Sequence, residues 1–291
     1  MEPTMTQLPQ SSPLEASSKQ FSTLLDVQGL ADQRGVTLNQ VGVKNVEMPL
    51  IILQKDGKTQ TVQASATMSV GLPAECKGTH MSRFVIQLDE WSQDRVFSLD
   101  MKGFLLELKA RLDAPSAYTE LKFRYFIDKP APVSDMSAKM AYECTFKGCL
   151  DEAGNHRVML SVVVPCATLC PCSKAISDYG AHNQRAEIRA TVIIDPDADE
   201  RVIWIEDLVT GLEEASSCPV YPLIKRADEK FITEKAYDNP KFVEDVIRDA
   251  TLFLRGYKGV TGFNLEVEAM ESIHAHNAWA THAENFFTQN V

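Results

Sequence analysis

Residues 165–185 run P-C-A-T-L-C-P-C-S-K-A-I-S-D-Y-G-A-H-N-Q-R, and the segments flanking them decide the architecture. Upstream, V-M-L-S-V-V-V-P from Val158 is a β-branched run of strand type; downstream, A-E-I-R-A-T-V-I-I-D from Ala186 is another. Two strands therefore deliver the chain into a loop and take it away again. The loop holds Cys166, Cys170 and Cys172 within seven residues, and His182 follows ten positions after the last of them.

A lone cysteine is usually a small core residue. Three so close together, two beside prolines, call for chemistry. A structural zinc site pairs C-x₂₋₄-C with a second pair elsewhere, but Cys218 stands alone in S-S-C-P. A thioredoxin-type motif would read C-x-x-C, which this is not. A catalytic metal site needs only about three protein ligands and keeps a position open, so one thiolate, one imidazole and one carboxylate would suffice. Spacing alone leaves these readings open.

Outward from the loop, V-G-V-K-N-V-E-M-P-L-I-I-L from Val41, the turn K-D-G-K and T-Q-T-V-Q-A-S-A-T-M-S-V predict a hairpin. Residues 98–113 put Leu99, Phe104, Leu105, Leu108 and Leu112 on one helical face. Strands follow from Leu121 and Ala138, and the turn D-E-A-G-N-H leads into Val158. Beyond the loop, Ile205, Leu208, Val209 and Leu212 predict a helix over 203–215. A second helix is expected from D-N-P-K-F-V-E-D, with Asp238 or Asn239 as N-cap and Pro240 near its first position. The alternation of Phe263, Leu265, Val267 and Ala269 predicts a final strand. Strands, helices, strands in each half give an α+β fold of two similar modules in tandem, over 31–150 and 151–291, behind a disordered tail at 1–30, without an evident sequence repeat.

The chain's 291 residues are 44% hydrophobic and 24% charged, the balance of a globular protein with a sizeable core. No apolar run reaches the roughly 18 residues of a membrane span. The first twenty residues carry neither a basic start nor an apolar stretch, so the expected location is the cytoplasm. Seven cysteines, an odd number, do not make a secreted disulfide framework. A formal charge of -11 argues against nucleic-acid binding but not against a small anion held by a local basic cluster.

The loop, C-P-C-S-K-A-I-S-D-Y-G-A-H-N-Q-R, resembles the signature of the GTP cyclohydrolase type IB family. K-G-T-H-M-S-R-F (77–84), K-R-A-D-E-K-F-I-T-E-K-A-Y-D-N-P-K-F-V-E-D (225–245) and E-S-I-H-A-H-N-A (271–278) resemble three further blocks of that family, in order, from about residue 40 to the end. The resemblance implies tandem tunnelling-fold modules, antiparallel sheets with helices packed on one face. It further implies a homotetramer with active sites between subunits, converting GTP and water to 7,8-dihydroneopterin triphosphate and formate. Hydrating the purine at carbon 8 near neutral pH calls for hydroxide, which a divalent ion can draw from water.

By resemblance the metal falls to Cys170, His182 and Glu229, a mixed donor set that admits zinc, manganese or ferrous iron. Glu229, in A-D-E-K, would otherwise be a solvated charge in a loop. Glu244 is expected to move protons, in place of a plain i,i+4 ion pair with Arg248. Glu271, at the end of the final strand, would anchor the purine by accepting its paired N–H donors. His274 is given proton shuttling or substrate contact, and His276 a weaker version of the same; at i and i+2 they would point the same way from an extended chain. Lys174, Arg185, Lys225 and Arg226, with Lys77, His80 and Arg83 from the other module, are the cations for the triphosphate. Cys166 and Cys172 remain as packing or supporting thiols. Two rivals stand beside this: a tunnelling-fold nitrile reductase with a nucleophilic cysteine, and a non-catalytic protein in which zinc only holds the loop.

Overall fold

The computed structural model describes residues 25–94, 100–195 and 203–286. Its first half is β1 (Leu38–Leu53), β2 (Thr59–Leu72), α1 (Met81–Asp94), α2 (Met101–Arg111), β3 (Ala117–Pro130) and β4 (Ser137–Leu150). Its second is β5 (His156–Leu169), α3 (Pro171–Ile176), β6 (Asn183–Ile194), α4 (Ile205–Glu214), β7 (Cys218–Pro219), α5 (Arg226–Asp238), α6 (Val243–Gly256), β8 (Val260–Ala269) and β9 (Ala278–Glu284). The strands form one antiparallel sheet in the order β1-β2-β3-β4-β5-β6-β8-β9, with β7 paired to β5. Each half is thus a pair of strands, helices, and a second pair, the tunnelling-fold pattern.

Alternation within the strands sets the two faces. Along β6, Ala186, Ile188, Ala190 and Val192 are buried while their neighbours are partly exposed. Along β3, Leu121, Phe123 and Tyr125 do the same. These rows share one hydrophobic cluster with Phe84, Leu88 and Trp91 of α1, Phe104 and Leu108 of α2, Leu208 and Leu212 of α4, and Val246, Ala250 and Leu254 of α6. Each Val, Leu, Ile or Phe among them contributes roughly 1.5–3 kcal/mol on full burial. The opposite face is polar and open, with a cavity of about 650 Å³ bordered by Gln63, Lys122, Arg124, Glu143 and Thr145. Among the described residues no helix is long and apolar enough to cross a membrane.

The K-D-G-K turn is made by Gly57 at φ 82, a left-handed conformation that glycine adopts without penalty. The expected helix over 98–113 is α2, begun by Asp100, whose side chain accepts from Gly103 N at 2.9 Å; Leu99 lies outside the described residues. The helix expected from Pro240 is displaced. Asp238 and Asn239 close α5, and α6 begins at Val243, with Phe242 as N-cap and Asp245 accepting from its amide at 3.0 Å. Residues 239–242 are drawn instead to the end of β5, where Lys241 N donates to Leu169 O at 3.1 Å. Of the expected tail, 1–24 lie outside the described residues, whereas 25–30 form a turn from which Gln28 Nε2 donates to Thr79 O.

Two buried charged clusters join elements across the halves. Lys129 of β3 meets Glu213 of α4 at 2.5 Å, both nine-tenths buried; Tyr142 OH donates to the same carboxylate at 2.9 Å, and the Tyr221 ring lies 4.8 Å from the ammonium. Asp228 of α5, fully buried, accepts from Val133 N, Ser134 N, Ser134 Oγ and Lys225 N at 2.6–2.9 Å. Burial raises its pKa, and these hydrogen bonds more than offset the rise, holding the carboxyl well below the ordinary aspartate value of 3.8.

Lys129→Met leaves Glu213 buried without its cation, and a loss of about 3–5 kcal/mol is expected in urea denaturation. Asp228 has a folded-state pKa below its unfolded one, so the stability it confers is complete above pH 3.8 and lost as pH falls below that value. Asp228→Asn should therefore flatten the loss of stability between about pH 4 and pH 2 relative to the parent, followed by acid denaturation.

Candidate active site

The antiparallel ladder between β5 and β6 pairs Thr168 with Gln184 and Leu169 with Asn183. One step further, Cys170 N donates to His182 O at 3.0 Å, so the ends of the cysteine loop lie side by side. Between them α3 makes a single short excursion. Cys170 is its N-cap, and its Sγ accepts from Ser173 N at 3.4 Å; Ser173 Oγ in turn accepts from His182 N at 3.2 Å. Cys170 and His182 are both half-buried. A thiol and an imidazole in adjacent positions, oriented by backbone bonds, are a donor pair suited to a divalent ion such as zinc.

A second row lies one register step below. Ala186 pairs with Ala269 of β8, and the ladder continues past the strand through Met270 N donating to Arg185 O at 2.9 Å. This sets Glu271 beside Gln184, just as Thr168 lies on its other side. Gln184 Nε2 donates to Thr168 Oγ1 at 3.0 Å and to Glu271 Oε1 at 3.4 Å, and Gln184 Oε1 lies 3.0 Å from His182 Nδ1. Glu271 follows β8, which is the penultimate strand, since β9 comes after it. His274 and His276 occupy the bend between β8 and β9, not an extended segment, yet their rings stack at 5.1 Å and both are exposed.

Strand direction sorts the remaining residues. Cys170, His182 and Glu271 stand where β5 ends, β6 begins and β8 ends, on one edge of the sheet. Glu244, exposed in the first turn of α6, is three residues past the Lys241–Leu169 link and belongs to that edge. Arg248 bonds Asp245 at 3.3 Å, one residue along from Glu244, which is exposed. Lys174 also lies there. Its ammonium donates to Tyr237 O and sits 4.2 Å from the Tyr237 ring, fastening α3 to α5. Arg185 is exposed on β6.

Glu229 is exposed in the first turn of α5, a helix where the sequence had allowed a loop. It precedes Tyr237 by eight residues, about 12 Å along the axis. Lys225 and Arg226 start the same helix, also exposed. Among the described residues of one chain, no three His, Cys, Asp or Glu side chains are gathered so as to hold a metal.

His80, Arg83 and Lys77 lie elsewhere. They follow the end of β2, which pairs with the start of β3 through Val70 and Ala117, whereas Cys170 stands beyond the other end of that strand length. Fourteen residues of β3 separate the two edges by about 40 Å. In this chain His80 Nε2 faces Asp26 at 3.3 Å and Arg83 Nη1 donates to Arg111 O at 3.1 Å, closing the end of α2.

Cys166 is fully buried, and burial pushes its thiol up to about 12, so it packs as a neutral side chain. Cys172 is exposed and does not pack. The residue the sequence reading passed over is Gln184. Its signal was available, because it shares parity with His182 and with Ala186 and Ile188 on the helix-covered face.

Comparison with known proteins places the chain in a family. The family model described as "Type I GTP cyclohydrolase folE2" matches residues 24–280. The GTP cyclohydrolase FolE2 of Geobacter sulfurreducens is 46% identical over 256 residues, covering 88% of this chain and 96% of the relative. That of Azoarcus sp. is 44% identical over 256 residues, covering 88% and 93%. A uricase from Bacillus fastidious superimposes with a TM-score of 0.42 at 10% identity, covering 87% of this chain and 94% of that one. By the extent of the match and the identity of these relatives, the chain belongs to the type I GTP cyclohydrolase folE2 family.

Proposed function

We propose that the chain opens the imidazole ring of GTP, releasing formate and 7,8-dihydroneopterin triphosphate as the entry into folate-type pterins, at the edge of the sheet that carries Cys170, His182 and Glu271. The observation that carries this reading is their placement: a thiol and an imidazole in one register row, and the Glu271 carboxylate in the next, on the same face. Cys170 and His182 would hold the metal, with Glu229 closing the set. When bound, the ion supplies activation of water for attack on carbon 8. Zinc, manganese and ferrous iron all suit a thiolate, imidazole and carboxylate set.

The protein's own groups do the rest. Glu271 accepts the guanine N–H donors. Each carboxylate oxygen has two acceptor sites, so Oε1 can keep Gln184 while taking a substrate hydrogen bond. Glu244, at the N-terminal turn of α6, moves a proton at the hydrated carbon, and the stacked pair His274–His276 serves the ring-opened nitrogen and the ribose. Lys225 and Arg226, at the start of α5, meet the triphosphate together with Arg185. Lys174 contributes as well by releasing Tyr237.

His80 and Arg83 are about 40 Å away in the same chain, so they serve a site only when a second copy presents its opposite edge. The division into two modules, 31–150 and 151–291, fits this: most of the site comes from the second module of one chain and the remainder from the first module of another. A homotetramer in the cytoplasm satisfies the arrangement.

Metal-stripped protein resupplied anaerobically with zinc, manganese or ferrous iron should release formate from GTP in a metal-dependent way, with at least a thousandfold loss in Cys170→Ala and in His182→Ala. Formate release unaffected by either substitution would overturn the site. Co-assembly of a Cys170→Ala chain with a His80→Ala/Arg83→Ala chain should recover about one quarter of the parent rate by random mixing, because one site draws each set from a different chain. Recovery of nothing would show that no site joins the two sets from different chains, and full activity of the His80→Ala/Arg83→Ala chain alone would place those residues outside the site.

A further inference from the structure

Gln184 is the hub of the site in this chain, and hydrogen-bond chemistry fixes which way it faces. A carboxylate only accepts, so the Gln184 group 3.4 Å from Glu271 Oε1 must be its NH₂. The same NH₂ reaches Thr168 Oγ1, which is buried and can accept. The carbonyl oxygen of Gln184 is therefore the atom turned toward His182 Nδ1 at 3.0 Å. An oxygen there must receive a proton, so His182 carries its hydrogen on Nδ1. Ser272 Oγ, 3.5 Å from the same nitrogen, can accept from it too. The lone pair then lies on Nε2.

We infer that Gln184 is a positioning residue which holds His182 in the Nδ1–H form, with Nε2 presented as the donor atom, and that Glu271 sets this orientation by fixing the Gln184 amide. The inference rests on the reading of His182 as a metal ligand and of Glu271 as the purine anchor. It adds a link between them: the group that grips the substrate also governs the readiness of the ligand. A ligating histidine whose second nitrogen is held in this way binds its metal more tightly, by about 10- to 100-fold across known sites.

The role of Thr168 shows why Glu271 matters. A hydroxyl can donate as well as accept. Without Glu271, the Gln184 amide is free to turn over, taking a hydrogen bond from Thr168 and offering NH₂ to His182. That orientation drives the imidazole hydrogen to Nε2 and removes the donor lone pair. Glu271→Ala should thus disturb His182, although the two side chains do not touch.

The test uses the full chain in its native assembly, freed of metal and labelled with ¹⁵N at its six histidines. Long-range ¹H–¹⁵N correlation reads the tautomer of each ring, and His182→Ala assigns the relevant one. The parent should show His182 as Nδ1–H, and Gln184→Leu and Glu271→Ala should each show a mixture or the Nε2–H form. Zinc affinity, measured by competition with a chelator of known strength, should fall about 10- to 100-fold in Gln184→Leu. His182 found as Nε2–H in the parent, or zinc bound by Gln184→Leu within twofold of the parent, would overturn the inference while leaving the metal site intact. Zinc affinity unchanged in His182→Ala would instead show that the ligand reading fails and the inference with it. Should Gln184→Leu not fold, as judged by circular dichroism, the tautomer in Glu271→Ala decides alone, and an unaltered Nδ1–H form there would overturn the link.

Discussion

The register between β5 and β6 is the constraint on which everything else at this edge depends. Pairing Thr168 with Gln184 and then Cys170 with His182 puts two consecutive rows of polar side chains on the face that, one turn deeper, is entirely apolar. A slip of β6 by one residue against β5 would turn Gln184 and His182 away from Thr168 and Cys170, to the opposite face. What prevents the slip is the hydrophobic alternation below: Leu160, Val162 and Val164 against Val192, Ala190 and Ile188, every one of them buried. The core thus places the donor pair by counting residues along a strand. The cysteine loop needs little structure of its own, and α3 is only six residues long.

The helices finish what the register begins. α5 crosses this edge from the β3–β4 turn, where Asp228 is bound by four donors, to the β5 end, where Asn239 Nδ2 donates to Ser216 O and Ser217 O. Few apolar side chains hold this helix; it is tied at both ends by hydrogen bonds, through the buried Asp228 at one and to the buried Ser216 and Ser217 at the other. Its outer face stays exposed, carrying Lys225, Arg226 and Glu229. With a net charge of -11 over the chain, Lys225 and Arg226 put two adjacent cations at the start of this helix. The same economy explains Lys129 and Glu213. Burying a charge pair returns little net energy, but losing either partner is costly, so the pair fixes how α4 sits on β3 and β4.

How much of this was legible in the sequence follows from what each element buries. β3 to β6 were plain because they alternate over a deep core, and α4 because Ile205, Leu208, Val209 and Leu212 form its buried stripe. α5 was invisible to periodicity because only Asp228 and Ala236 are buried along its 13 residues. β9 escaped for a similar reason: it is an edge strand, largely exposed, in which Trp279 is itself exposed. α1 did carry the signal, with Phe84, Gln87, Leu88 and Trp91 at helical spacing and all buried. At the site, side-by-side placement of Cys170 and His182 could be foreseen from two strands flanking one loop. The separation of His80 and Arg83 from that loop could not, because it depends on strand direction across the whole sheet.

In the proposed site Cys170 is the single sulfur of a catalytic metal set, with Cys166 buried and Cys172 exposed. X-ray absorption at the zinc edge of the zinc-loaded protein counts the sulfurs around the ion. One sulfur at about 2.3 Å is expected, with the remaining positions filled by nitrogen or oxygen at about 2.0–2.2 Å. Two or more sulfurs would recruit Cys172 and make the loop a structural zinc knot; no sulfur at all would remove Cys170 from the metal and the proposed site with it.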